Sequence, residues 1–306
     1  MPAVLGRDAL DRKGQGGAGC RAMWTAPPAV IAPAALSRLP DALRRRALPG
    51  AAALVAPCFD AAGNLFCTDP GQGRVFRVSG AQWEVAAEYE GEPRGIAARG
   101  QELLLADHRH GLLTLDGRSG AMGALLERAA GEGFRGLAGV LVHRDGSVLF
   151  TDAGATGLPD PTGRVWRLRA DGRLDRLVSN APGPSALAAD RAGTRLYMAM
   201  AGSCEVWCLA LPPDAAAGGA GLFFRAPAGG AGPSGLATDT HDRLFVCHPG
   251  HGQVWMTDPQ GLLTHRVDCT GFGRMPTGCA LAPDGRTLLI AEASSGTLLA
   301  ADIPPP

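Results

Sequence analysis

From about residue 28 onward, short apolar stretches alternate with tight polar breaks, and one type of stretch repeats. It opens on Gly or its equivalent and then carries apolar residues: Gly73-Arg74-Val75-Phe76, Gly111-Leu112-Leu113, Gly163-Arg164-Val165-Trp166, Cys204-Glu205-Val206-Trp207, Gly252-Gln253-Val254-Trp255 and Gly296-Thr297-Leu298-Leu299. Each copy follows a pair of β-like segments joined at Ala62-Gly63-Asn64, Arg99-Gly100, Asp145-Gly146, Ala192-Gly193, His241-Asp242 or Asp284-Gly285, residues suited to hairpin turns. The second segment ends on a polar residue, Asp69, Asp107, Asp152, His248 or Glu292, with Met200 in the fourth copy. Units open near Pro57, Pro93, Leu137, Pro184, Pro233 and Pro276, at intervals of 36, 44, 47, 49 and 43 residues.

Four short strands fit that period, which is the period of a propeller blade. No long window repeats every 3.6 residues, apart from a short helix expected around Pro40 to Arg46. The pattern therefore predicts an all-β fold, a six-bladed β-propeller of four-stranded blades over residues 28–306. An N-terminal strand near Val30 to Leu39 closes the ring as the outer strand of the last blade. Residues 1–27, polar and Gly-rich in large part, are expected to form a disordered arm. In a propeller the innermost strand of each blade starts where the second strand ends, so both sets of residues are expected at one mouth of the central channel.

Composition narrows the chemistry. Of 306 residues 46% are hydrophobic, enough for a sizeable core, while 44 Gly and 24 Pro mark a turn-rich chain. Lys+Arg and Asp+Glu balance at 29 each, so no overall field draws nucleic acid or an anionic membrane, and neither is expected as a partner. Lys13 is the only lysine, which argues against Schiff-base chemistry. Eight scattered cysteines show neither zinc-site nor C-x-x-C spacing. With no apolar run approaching 18 residues and no export signal, a cytoplasmic location is expected.

The wording of the repeats resembles the senescence marker protein/gluconolactonase/luciferin-regenerating-enzyme family. The resemblance rests on Phe59-Asp60-Ala61-Ala62-Gly63-Asn64-Leu65, Tyr89-Glu90-Gly91-Glu92-Pro93, Phe150-Thr151-Asp152, Asp160-Pro161-Thr162-Gly163-Arg164-Val165, Pro184-Ser185-Ala186-Leu187, Gly232-Pro233-Ser234-Gly235-Leu236 and Pro283-Asp284-Gly285-Arg286-Thr287-Leu288. It implies a propeller that hydrolyses lactones with one divalent metal in the channel, and a small lactone or anionic molecule as substrate. The implied ligand positions hold other residues here. The Glu of the first blade falls in Val55-Ala56-Pro57, the Asn of the third at Ala138-Gly139, the Asn of the fourth at Ser185 and the Asp of the fifth at Ser234. A calcium-like ion wants six or more oxygens, some of them anionic. Neither a metal at the family site nor any other cofactor is therefore expected.

Where the second blade of the family often reads P-N-G, this chain reads Pro93-Arg94-Gly95, so a fixed guanidinium is expected where the metal's charge would stand. Arg94, with Ser185, Ser234, Thr277, His108, Asp107 and Cys58, forms the expected substrate-binding set. His248, Asp152 and Glu292 are the candidates for moving protons. Three readings follow: a metal-independent enzyme acting on a lactone, carboxylate or enol-type substrate by hydrolysis or isomerisation; an inactive propeller binding a small acid or a protein; and a metal lactonase with ligands relocated to Asp69, Asp107, Asp152 or Glu292. Phe76, Trp166, Trp207 and Trp255 recur in register and are read as packing between blades. The loop from Gly154 to Thr162 is the longest interruption within a blade.

Overall fold

Each blade starts beside the channel with a strand whose first residues decide how closely its neighbours can approach. These inner strands are Val55–Phe59, Pro93–Arg99, Leu137–Val142, Pro184–Ala189, Gly235–Thr238 and Pro276–Leu281. Together they make the wall of a ring in the structure, a computed structural model that describes residues 27–44, 54–129, 131–154, 158–212 and 219–306. The expected N-terminal arm lies outside the described residues apart from Pro27. Glycines just inside the strand openings let backbones pack against each other. A Cβ on Gly139 would stand 2.8 Å from the Ser185 carbonyl oxygen, and one on Gly278 would stand 2.7 Å from the Ala56 nitrogen.

From each inner strand the chain zigzags outward through antiparallel neighbours. Blade one, for example, runs Val55–Phe59, Leu65–Asp69, Arg74–Ser79, Gln82–Glu88. Blades two, three and four repeat the order, and the fold is a six-bladed β-propeller. The expected hairpin turns all fall between the first and second strands. The N-terminal closure is more elaborate than a single strand. Ala34–Arg38 pairs antiparallel with Thr297–Asp302 and completes blade six, whereas Ala29–Ile31 pairs parallel with Leu263–Asp268 as a fifth strand of blade five. Pro33 separates the two, since proline lacks the N–H that a continuous ladder would need.

Blade one opens at Leu54, not at Pro57. A bulge between Val55 and Cys58, with Ala56 at φ +48°, inserts extra chain into that inner strand. The repeat count from Pro57 therefore ran three residues late. Of the expected helix at Pro40–Arg46, the structure shows a turn at 41–43, with the Leu43 N–H donating to the Pro40 carbonyl at 2.9 Å. Residues 45 and 46 lie outside the described residues.

The core is divided into six wedges, one between each pair of adjacent blades. Period-two alternation on the third strand feeds two wedges at once. Phe76, Trp166, Trp207, Trp255 and Leu299 pack toward the preceding blade, and their neighbours Val75, Val165, Val206, Val254 and Leu298 toward the following one. The recurrent aromatics thus serve packing between blades. Among the described residues no helix is long and apolar enough to cross a membrane.

Candidate functional site

The second residue of each inner-strand opening points the way to the site: Val55, Arg94, Ala138, Ser185, Ser234 and Thr277, one from each blade, all line one cavity of about 710 Å³. Between the blades they form a neck. Above it, the mouth is walled by Pro70 to Gly73, by Tyr89, Glu90 and Glu92, and by Arg109. Below it lies a second void of about 350 Å³. Four expected binding residues, Arg94, Ser185, Ser234 and Thr277, are brought together in this ring.

The three hydroxyls of the ring are not free donors. Ser185 Oγ donates to the Pro233 carbonyl at 2.7 Å, Ser234 Oγ to the Thr277 carbonyl at 2.9 Å and Thr277 Oγ1 to the Leu54 carbonyl at 2.7 Å. Each hydrogen bond crosses to the next blade. Toward a ligand these oxygens retain only lone pairs.

Arg94 is paired with Glu92 through Nη2 and Oε2 at 3.2 Å. Arg109, which the sequence analysis did not single out, holds the other oxygen of the same carboxylate at 2.9 Å. Glu92 is partly buried, which works against its ionisation, but the hydrogen bonds from Arg109 and Arg94 hold it below the usual carboxylate range. Asp107 lies beneath this group, fully buried, and does not line the cavity. Its Oδ2 accepts from Tyr89 Oη at 2.8 Å and from the Glu92 N–H at 2.7 Å, and its Oδ1 accepts from the Arg109 and His110 N–H groups at 2.8 Å. It orients the mouth and has no oxygen left for substrate. His108 is set back against Gly136 and does not line the cavity either. Burial and the Arg94 charge push its imidazole below the ordinary value.

The strand-end residues expected to move protons sit one strand behind the wall and are completely buried. Asp152 accepts from the Arg135 N–H at 2.8 Å and from Arg164 Nε and Nη2 at 3.0 and 2.6 Å. Glu292 accepts from the Met275 N–H at 2.8 Å and from the Ser295 N–H and hydroxyl at 2.6 and 2.5 Å. His248 receives the Trp255 indole N–H on Nδ1 at 3.1 Å, so Nε2 carries the hydrogen and faces the Gly229 carbonyl at 3.1 Å. Burial pushes that imidazole below its ordinary value, and the His251 ring stacked 4.2 Å away adds to the effect. These three are placed as caps of loop backbone, outside the cavity lining. Where Met200 replaces a polar cap, the loop closes by a short 3-10 turn, Ala201–Ser203. Cys58 lines the void below the neck; burial pushes its thiol up to about 12, which keeps it protonated and unreactive as a nucleophile.

The ring does not fit a divalent cation. Its six side chains offer three neutral hydroxyls, two alkyl groups and a guanidinium, and no carboxylate. The relocated set fares no better, because Asp69, Asp107, Asp152 and Glu292 each cap their own loop. Among the described residues no three His, Cys, Asp or Glu side chains come together as a metal group.

A family model described as SMP-30/gluconolactonase/LRE-like region matches residues 56–294, most of the ring. The chain belongs to the SMP-30/gluconolactonase/LRE-like family. Membership supports a lactonase-type function in general. Solved structures similar to this family member include a gluconolactonase from Xanthomonas campestris, 22% identical over 92% of this chain and 99% of that one, with a TM-score of 0.73. Regucalcin from Agrobacterium tumefaciens, a calcium-binding protein, is 18% identical over 90% of this chain and 96% of that one, with a TM-score of 0.73. A luciferin-regenerating enzyme is 17% identical over 83% and 93%, with a TM-score of 0.70. At these identities the likeness is one of fold. No curated protein matches this family member significantly.

Proposed function

We propose that this chain is a lactonase-type propeller that takes a small lactone or hydroxy acid at the channel mouth without a divalent cation, held by its carboxylate or ring carbonyl on Arg94 and Arg109. The observation that carries the reading is the sharing of one carboxylate, Glu92, by two guanidinium groups above a neck with no anionic donor. A guanidinium has five N–H donors, and Glu92 engages one of those on Arg94. A ligand carboxylate can therefore dock on the same planar face. For hydrolysis, the carboxylates at the mouth are Glu90 and Glu92. In this reading ionised Glu92 takes a proton from a water attacking a carbonyl held by Arg94; the ring C–O bond breaks, and Glu92 returns that proton to the departing ring oxygen, which becomes the hydroxyl of the product acid.

A second reading, binding without turnover, is favoured by the burial of Asp152, His248 and Glu292, which leaves the mouth poor in proton carriers. Calorimetry of EDTA-treated protein with gluconate and short 2-hydroxy acids, paired with lactone hydrolysis followed by pH-stat, tests both. Binding that survives chelation and weakens about tenfold or more in Arg94→Ala supports the proposal. Activity lost to EDTA and restored by calcium, or binding indifferent to Arg94→Ala, overturns it. Lactone turnover above the spontaneous rate selects the enzyme over the binder.

A further inference from the structure

Asp107 ends the second strand of blade two, the position from which Asp152 and Glu292 cap loops in blades three and six, yet the groups it gathers are of another kind. Its donors come from two loops. Oδ2 takes Tyr89 Oη at 2.8 Å and the Glu92 N–H at 2.7 Å from the connection that enters blade two, and Oδ1 takes the Arg109 and His110 N–H groups at 2.8 Å from the turn after Asp107 itself. Tyr89, Glu92 and Arg109 line the mouth, and His110 Nε2 donates to the carbonyl of a fourth mouth residue, Glu90, at 2.6 Å. The first loop is drawn in tightly: a Cβ on Gly91 would stand 2.5 Å from Asp107 Oδ2 and 2.2 Å from the Tyr89 ring. Asp152 and Glu292 hold Arg135, Arg164, Met275 and Ser295 instead, none of which lines the mouth.

We infer that Asp107 is the positioning residue of the mouth: it binds the Glu92 loop and the Arg109 loop into one unit, and so sets the spacing at which two guanidinium groups share one carboxylate and turn their remaining donors to a ligand. The inference rests on the mouth reading above and adds what fixes its geometry. The ion pairs cannot fix it themselves. Arg94 and Arg109 are 45% and 53% exposed, and pairs that open to water hold long side chains only weakly. One backbone bond, from the His108 N–H to the Glu92 carbonyl at 3.0 Å, joins the same loops; the buried Asp107 carboxyl adds four more. A carboxylate accepts on both oxygens, whereas an amide accepts on one and donates on the other. Asp107→Asn must therefore turn an NH2 group toward one pair of donors and release either the Glu92 loop or the Arg109 loop.

Carboxyl NMR titration of the full chain, with calorimetry using 2-hydroxybutyrate, tests the assignment. Removing the charge of Asp107 would by its field alone make Glu92 more acidic, whereas loosening the guanidinium groups makes it less acidic. The expected result is a Glu92 signal, assigned by its loss in Glu92→Gln, that titrates at higher pH in Asp107→Asn than in the unmodified protein. The dissociation constant is expected to rise about tenfold in Asp107→Asn but less than twofold when the change is made in Arg109→Ala, since a guanidinium already absent cannot be displaced. Glu292→Gln, the equivalent cap in blade six, should leave affinity within twofold. Tyr89→Phe removes one of the four donors and serves if Asp107→Asn does not fold, with the same pattern at about threefold. A Glu92 carboxyl that stays put or becomes more acidic, full additivity with Arg109→Ala, or an equal loss in Glu292→Gln overturns the assignment while the mouth reading stands. Absence of acid binding by the unmodified protein overturns the mouth reading, and the Glu92 titration then decides the role of Asp107 alone.

Discussion

Ser185 Oγ lies 2.7 Å from the carbonyl oxygen of Pro233 and donates to it across the boundary between blades four and five. Ser185 thus holds two blades together. Ser185→Ala is expected to lower unfolding stability by about 0.5–1.5 kcal/mol in urea titration. The same change should weaken short-acid binding less than Arg94→Ala does. A loss of affinity as large as that of Arg94→Ala, with unchanged stability, would show the hydroxyl serving ligand rather than fold.

Glu92 competes with any bound carboxylate for Arg94 and Arg109. Glu92→Gln removes the competing charge and is expected to tighten binding of hydroxy acids about three- to tenfold in calorimetry, while leaving neutral lactones nearly unaffected. If Glu92 also serves as base, the same variant slows lactone hydrolysis. Tighter binding with slower turnover is the combined signature.

Asp69 and Glu292 end equivalent strands, yet their acidities move in opposite directions. Burial raises Asp69 to about 6, since Arg74 and the loop N–H groups of Gln72 and Gly71 offset it only in part. Burial also works against Glu292, but donors from Ser294, Ser295 and Met275 hold it below the usual range. Glu292 therefore contributes stability above its unfolded pKa, lost as pH falls through the folded one. Asp69 behaves oppositely: stability declines as pH rises from about 4 to about 6. Compared by thermal melts at pH 4 and pH 8, the wild type should lose ground to Glu292→Gln at the acid end and gain ground on Asp69→Asn there. For Asp69, raised from 3.8 to about 6, a difference on the order of 2–3 kcal/mol is expected; for Glu292 the sign is the readout. The same sign in both comparisons would refute the assignment.

Gly139 passes so near Ser185 that a Cβ would stand 2.8 Å from its carbonyl oxygen. Backbone cannot move aside as a side chain can. Gly139→Ala is expected to destabilise the ring by about 1–3 kcal/mol, read as a lower urea midpoint, whereas Gly146→Val at an open hairpin tip tests a different effect, the strain of φ +84° alone.

Fold and neck were legible in the sequence because both depend on local, repeated features. Turn residues such as Asp145-Gly146, the alternation of Val165 with Trp166 and the Pro-x-Gly openings recur in register, and a ring of repeats brings like positions to like places. Depth was not legible. Asp152, His248 and Glu292 end at the height of the mouth, but the inner strand of the same blade screens them from the channel. Arg109 and Glu92 lie seventeen residues apart in different loops, and nothing local announces their pairing. The blade-one opening was misplaced because a bulge, unlike a turn, leaves no Gly or Asn signature at Ala56.

Reading outward from the N-terminus, the chain meets blade five at Ala29–Ile31 before it reaches blade six at Ala34–Arg38. At the other end, the Pro304 carbonyl accepts from Arg243 of blade five at 2.8 Å. Tension applied to the leading end must first shear the parallel pair before any force reaches the strand that closes the circle. The extra strand works as a strain relief, like the clamp that keeps a pulled cable from loading its joint, and blade five holds the described chain on both sides of the closure.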